Sequence, residues 1–175
     1  AVLHAAFDAG ITFLDTADAY CWDATEIGHN ERLIARALAT WSGDRSRIRV
    51  ATKGGLTRPQ GGWVEDGRAR HLVAACEASL RALNVDRIDL YQLHALDPRT
   101  PFATSVRALD ALKRDGRVGA IGLCNVNLGQ IEEALSGTYL RNGANQAFPP
   151  IGRYHVFDGD GMIHGVTLDQ GRASY

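Results

Sequence analysis

The 175-residue sequence predicts an α/β protein built around a parallel sheet, and three observations carry that prediction. Short β-branched runs alternate with longer stretches of helical period, so that each helix can carry the chain back to begin another parallel strand. Each strand then ends on a polar residue, at the same end of the sheet. That placement fits a (β/α)8 barrel, which gathers its functional groups at the C-terminal ends of many different strands. The third observation concerns the competing doubly wound dinucleotide fold. It would place G-x-G-x-x-G after its first strand, and no strand end here carries it. Gly54-Gly55 and Gly61-Gly62 read as loop glycines only.

The elements follow in order. Residues 1–9 read as the end of a helix stopped by Gly10, and ITFLDT (11–16) as the first strand. NERLIARALATW (30–41) sets Leu33, Ile34, Ala37, Leu38 and Trp41 on one helical face. RIRVATK (47–53) is the second strand. Residues 68–83 repeat the helical pattern through Leu72, Val73, Cys76, Leu80 and Leu83. RIDLYQLH (87–94) is the third strand. The segment PFATSVRALDALKRDG opens on Pro101 and closes on basic residues followed by Gly116, as a helix should. GAIGLC (119–124), a short helix LGQIEEALSG ending at Gly137, and a weaker strand ANQAF (144–148) complete the alternation.

Composition narrows the function classes. At 45% hydrophobic residues the chain can bury one sizeable core. Lys plus Arg (19) nearly balance Asp plus Glu (20), which excludes the basic stripe that a nucleic-acid partner requires. Apolar runs are short and interrupted by charge, so no membrane partner is expected. The segment AVLHAAFDAG has neither a basic n-region nor a cleavage site, which makes a cytoplasmic address the default. Cys21, Cys76 and Cys124 are odd in number and widely spaced, as reduced thiols would be. His4, His29, His71, His94, His155 and His164 contain no His-x-His pair, so no metal site is expected. DGDGMIHG lacks the glycine position and closing Glu of a calcium loop and reads as a plain turn.

The strand ends carry the chemistry. They deliver Asp15, Lys53, His94, Asn125 and Gln146 in turn, and Tyr20 follows five residues after Asp15. Period-two alternation puts Phe13 with Asp15, Ala51 with Lys53, and Ile88, Leu90, Gln92 and His94 on shared faces. Each residue alone has an ordinary reading: Asp15 as a cap, Lys53 as a snorkelling rim lysine, His94 as a loop histidine, Tyr20 as a lid. Together, at one end of successive strands, they describe proton transfer to a carbonyl. A phenol titrates near pH ~10, and a nearby ammonium favours its ionised form. Asp15 would hold Lys53 charged, and His94 would donate a hydrogen bond to the substrate oxygen. None of these residues can supply a hydride, so a nicotinamide cofactor is required.

Taken in order, FLDTADAY, GHNERLIARAL, RVATKGG, IDLYQLH and AIGLCNVNLGQIEEAL resemble the aldo-keto reductase family over about residues 1–146. The resemblance implies a (β/α)8 barrel, incomplete here with about five β/α units, that reduces aldehydes or ketones with NADP(H). It implies a catalytic tetrad of Asp15, Tyr20, Lys53 and His94, with Tyr20 the general acid. It assigns Asn125 and Gln146 to the nicotinamide carboxamide, beside Cys124. Many relatives have Ser at the Cys124 position, and a thiol is the weaker hydrogen-bond partner. Residues 1–148 are expected to form the partial barrel and 149–175 a divergent tail. A complete barrel needs about 250 residues, so the sequence is expected to be cut at both ends. A five-stranded open sheet leaves edges unpaired, and association with a second copy would cover them. One alternative stays open, a non-catalytic regulatory or cofactor-sensing module of the same family; a hydrolase on a metal-bearing barrel would need paired ligands such as His-x-His, which the sequence lacks.

Overall fold

A computed structural model of the chain describes residues 2–127, 129–131, 137–144, 161–169 and 172–174, the last three stretches by backbone alone. These residues fall into two compact units, 1–125 and 126–175.

The first unit is built on a four-stranded parallel sheet. Helix α1 (Val2–Asp8) leads into strand β1 (Phe13–Asp15), and helix α2 (His29–Thr40) into β2 (Arg49–Gly54). A small hairpin, β3 (Leu56–Thr57) and β4 (Val64–Glu65), precedes helix α3 (Ala69–Leu83). Strand β5 (Ile88–Leu93), helix α4 (Phe102–Arg114) and β6 (Val118–Leu123) finish the unit. The order β1-β2-β5-β6 follows the sequence, and every pairing in the sheet is parallel. Alternation along each strand separates two faces. One carries Asp15, Ala51, Leu90 and Ala120 in register, and one step further Lys53, Gln92 and Gly122. The opposite face, with Thr52, Tyr91, Leu93 and Leu123 buried, meets the helices. Burying such aliphatic and aromatic side chains stabilises by about 1.5–3 kcal/mol each.

Strand β1 is shorter than the predicted 11–16, because Ile11 is half exposed and Thr16 turns inward to a fully buried position. In α2 the buried positions are Glu31 and Ile34, while Leu33 lies exposed, so the predicted stripe is rotated by part of a turn. Helix α3 buries Leu72, Cys76, Leu80 and Leu83 as expected, and Asn84 ends it in the left-handed conformation. Helix α4 buries Leu109 and Leu112, and the Gly116 N–H bonds back to the Lys113 carbonyl at 3.0 Å. The hairpin was not foreseen from its glycines. Gly55 (φ +104°) turns the chain out of β2, and a Cβ on Gly54 would lie 2.0 Å from the Tyr91 hydroxyl. Only glycine lets the chain leave β2 on this path.

In the second unit, Asn127 and Gln130 bond each other's backbone N–H at 3.0 and 2.8 Å, a capping arrangement that opens the helical turn 129–131. The predicted helix to residue 137 is described only for 129–131, and Gly137 already begins strand β7 (Gly137–Ala144). It pairs antiparallel with β8 (Gly161–Asp169), which pairs antiparallel with β9 (Arg172–Ser174). The strand predicted at 144–148 therefore keeps only Ala144, as the end of an antiparallel strand, and residues 145–148 lie outside the described residues. Among the described residues no helix is long and apolar enough to cross a membrane, and no group of His, Cys, Asp and Glu could hold a metal ion.

Candidate active site

The polar end of the sheet assembles around Lys53. Its strand keeps the side chain 7% exposed, yet the ammonium makes three hydrogen bonds. Nζ donates to Asp15 Oδ2 at 2.7 Å, to the Thr16 carbonyl at 2.9 Å and to the Tyr20 hydroxyl at 3.1 Å. The register explains the reach: Asp15 pairs with Ala51, so Lys53 stands one pleat further along the same face. Burial pulls the Lys53 pKa down, but the charge of Asp15, and after it Tyr20, outweighs burial and sets it above the ordinary value. The second Asp15 oxygen accepts from Gln92 Nε2 at 3.2 Å.

The loop after β1 brings Tyr20 to the same point. Thr16 N–H donates to the Ala51 carbonyl at 2.9 Å and Asp18 N–H to the Lys53 carbonyl at 3.2 Å, which prolongs the β2 pairing around the bend. Tyr20 ends up 38% exposed, with its hydroxyl on the buried ammonium and Nζ 4.7 Å from its ring centre. His94 follows β5 directly, its N–H bonded to the Gly54 carbonyl at 2.9 Å. Its ring meets Tyr20 edge to face, at 5.6 Å between centres and 79° between planes. Burial, and then the Lys53 charge, push the His94 pKa down to about 4, so the imidazole is neutral at neutral pH. Its Nδ1 is buried without a partner among the described residues.

Asn125 follows β6 in the left-handed conformation (φ +56°), and its Nδ2 donates to the His94 carbonyl at 2.8 Å. Cys124 Sγ contacts Gln92 Oε1 at 3.5 Å. Gln146 lies outside the described residues. The structure thus brings Asp15, Tyr20, Lys53 and His94 together, with Asn125 and Cys124 alongside.

Three features went unrecognised in the sequence. Gln92 bridges Asp15 and Cys124, and its place on the His94 face was the signal. Glu31, fully buried in α2, accepts from Thr52 Oγ1 at 2.6 Å beside Lys53, and no pattern in the sequence marks it. On the hairpin, Trp63 meets the His94 ring and Arg58 covers Trp63, and the hairpin itself was unseen.

A parallel α/β sheet whose strand ends hold a lysine, carboxylate, phenol and imidazole in mutual contact defines a protein of the TIM-barrel type, present here in part. The chain belongs to the aldo-keto reductase family, whose family model matches residues 1–148. It is 40% identical over 131 residues to a 6-dehydroglucose reductase of Novosphingobium aromaticivorans, a match covering 74% of this chain and 42% of that protein. Its fold matches the glycerol dehydrogenase of Gluconobacter oxydans with a TM-score of 0.67 at 35% identity, over 77% of this chain and 41% of that one. An aldo-keto reductase of Bacillus halodurans, solved in its holo form, matches with a TM-score of 0.62 at 35% identity, over 73% and 41%. The chain spans about two-fifths of the length of these relatives.

Proposed function

We propose that the chain carries the catalytic part of an NADP(H)-dependent reductase of aldehydes and ketones. The observation that supports this most is the single ammonium of Lys53, shared between Asp15 Oδ2 at 2.7 Å and the Tyr20 hydroxyl at 3.1 Å. In this reading Tyr20 gives its hydroxyl proton to the carbonyl oxygen. Lys53 stabilises the phenolate that remains, and Asp15 fixes the ammonium in place. Neutral His94 donates its ring N–H to the same oxygen and orients it. The nicotinamide, when bound, supplies the hydride.

The family generally uses NAD(P)H, and the donor set at the end of β6 fits a carboxamide. Asn125 spends one amide hydrogen on the His94 carbonyl, which leaves its second N–H and its carbonyl oxygen for an acceptor and a donor. Asn125, Gln146 and Cys124 are the proposed carboxamide residues, Cys124 as the weaker partner. The relatives named for 6-dehydroglucose and glycerol favour polyhydroxylated compounds as the substrate class.

The test is a titration of the 175-residue chain with NADPH and, separately, NADH, followed by cofactor fluorescence. Saturable micromolar binding of NADPH and turnover of a small aldehyde are expected. A folded chain that binds neither cofactor is no reductase on its own, and tighter binding of NADH would reverse the cofactor assignment.

A further inference from the structure

All three N–H groups of the Lys53 ammonium are in use, on Asp15, the Thr16 carbonyl and Tyr20, so whatever Asp15 draws from it Tyr20 loses. Asp15 has a second oxygen. A carboxylate free to turn would set both oxygens against the buried ammonium and pull it from the phenol. Gln92 prevents that. Its Nε2 donates to Asp15 Oδ1 at 3.2 Å, the one hydrogen bond that this oxygen receives among the described residues. Asp15 therefore meets Lys53 with Oδ2 alone, at 2.7 Å.

The sheet is built to hold Gln92 there. It is 5% exposed and pairs in register with Lys53 on one side and Gly122 on the other. A Cβ on Gly122 would lie 3.0 Å from Gln92 Cγ and 3.4 Å from Oε1, so β6 keeps clear the space that the amide occupies. The partners also fix which way the amide faces. Ionised Asp15 can only accept, so the NH2 group turns to it and Oε1 turns to β6, where Cys124 Sγ donates at 3.5 Å. A leucine would fill a similar volume and need no partners, whereas a buried amide needs one on each side and has both here.

Resting on the reductase reading, we infer that Gln92 is a positioning residue for the proton donor: held by Cys124, it fixes Asp15 so that the Lys53 ammonium stays shared with Tyr20. The hydrogen bonds run without a break from Cys124 to Gln92, Asp15, Lys53 and the Tyr20 hydroxyl, at 3.5, 3.2, 2.7 and 3.1 Å. Cys124 adjoins Asn125, so the series joins the residues proposed for the carboxamide to the proton donor. Gln92 also turns the positive end of its amide dipole toward the tetrad, which favours the negative charge that Tyr20 acquires when it gives up its proton.

Two measurements on the 175-residue chain test this. The first needs no turnover: an ultraviolet titration of tyrosinate in the wild type, Gln92→Met and Cys124→Ala, with the Tyr20 part taken as the difference from Tyr20→Phe in each background. Gln92→Met keeps the length of the side chain and removes both polar atoms. The Tyr20 midpoint should move to higher pH by about half a unit in Gln92→Met and by less in Cys124→Ala, as the ammonium is drawn back to Asp15. The titratable groups around Tyr20 and this ammonium, Asp15, Asp18 and His94, are the same in every chain compared. An unchanged midpoint in Gln92→Met overturns the inference, and should that variant not fold, an unchanged midpoint in Cys124→Ala does so. The second measurement is kcat for propanal at saturating NADPH, which should fall about tenfold in Gln92→Met with NADPH affinity unchanged. Loss of NADPH affinity at unchanged kcat overturns the positioning role. If the wild type neither binds NADPH nor reduces propanal, the reductase reading fails, and the tyrosinate titration alone decides whether Gln92 holds the ammonium on Tyr20.

Discussion

Two carboxylates three residues apart, Asp15 and Asp18, mark two layers of the same strand end that handle charge in opposite ways. Asp15 belongs to the layer at the mouth. Its side chain is 24% exposed and both oxygens are bonded, one to Lys53 and the other to Gln92. Asp18 belongs to the layer behind, where it is 2% exposed and its Oδ1 has no partner among the described residues. Burial, and then the charge of Glu31, raise the Asp18 pKa to about 8. The mouth keeps its charges by pairing them, whereas the layer behind holds a proton in place of a charge. The second layer positions Lys53 chiefly through backbone and hydroxyl groups. The Thr16 carbonyl accepts from Nζ, Asp18 N–H donates to the Lys53 carbonyl, and Glu31 anchors the neighbouring Thr52 hydroxyl.

The sharpest way to break this comparison is to remove chemistry from the mouth while leaving the layer behind intact. Tyr20→Phe should lower kcat for carbonyl reduction by about 10²–10⁴-fold, with NADPH affinity nearly unchanged, in single-turnover kinetics and a cofactor titration. Equal activity would remove Tyr20 from the acid role. Lys53→Met should cost a comparable factor, since it takes the ammonium from Tyr20 and leaves Asp15 with Gln92 alone.

Next in size is a break in the layer behind. Glu31→Ala opens space beneath β2 and strands the Thr52 hydroxyl, which donates to Glu31 Oε1 at 2.6 Å. The expected loss is about 2–3 kcal/mol of stability, read from urea melts. A loss below about 0.5 kcal/mol would mean that Glu31 does not hold the strand.

The two layers were unequally legible in the sequence, and the reason is physical. Asp15, Lys53 and His94 end strands, and a period of two tells which face each shares, so their convergence can be read before any coordinates exist. The parallel sheet follows from the same alternation of strand and helix. Glu31 and Asp18 carry no such mark. A carboxylate in a helical run reads as solvent-facing, and only the packing of α2 against β2 reveals that Glu31 points inward and Leu33 outward. The hairpin escaped because its strands are two residues each, too short for any periodicity, so Arg58 and Trp63 were invisible as parts of the site. The antiparallel strands from Gly137 onward escaped because glycines at 137, 143, 161 and 165 break up the apolar alternation that marks a strand.

A smaller effect separates the layers by pH. Asp18 has its folded pKa near 8, above the ordinary carboxyl value of 3.8, so the folded chain binds one more proton than the unfolded chain between those values. Its contribution to stability is complete below about pH 4 and is lost as pH rises through 8. Asp18→Asn cannot ionise and should escape that loss. Relative to the wild type, it should gain at least about 1 kcal/mol between pH 5 and 8 in denaturation curves. A difference that does not change with pH would show that Asp18 carries its charge in the folded chain.

His94 should show the opposite slope over a narrower window. Its folded pKa of about 4 lies below the ordinary 6.5, so between these values the unfolded chain binds the extra proton. The wild type should therefore lose stability as pH falls from 6.5 toward 4, the direction in which Asp18 gains. The two slopes oppose each other there, and the wild-type curve alone would hide both. His94→Gln removes one of them. Its stability relative to the wild type should rise by about 1 kcal/mol between pH 6.5 and 5, measured by urea denaturation at each pH. The same variant should leave the stability slope from pH 6.5 to 8 unchanged, because that slope belongs to Asp18. A His94→Gln curve parallel to the wild type from pH 6.5 to 5 would mean that the folded mouth leaves the imidazole as easily protonated as the unfolded chain does, and that burial does not hold it in its neutral form.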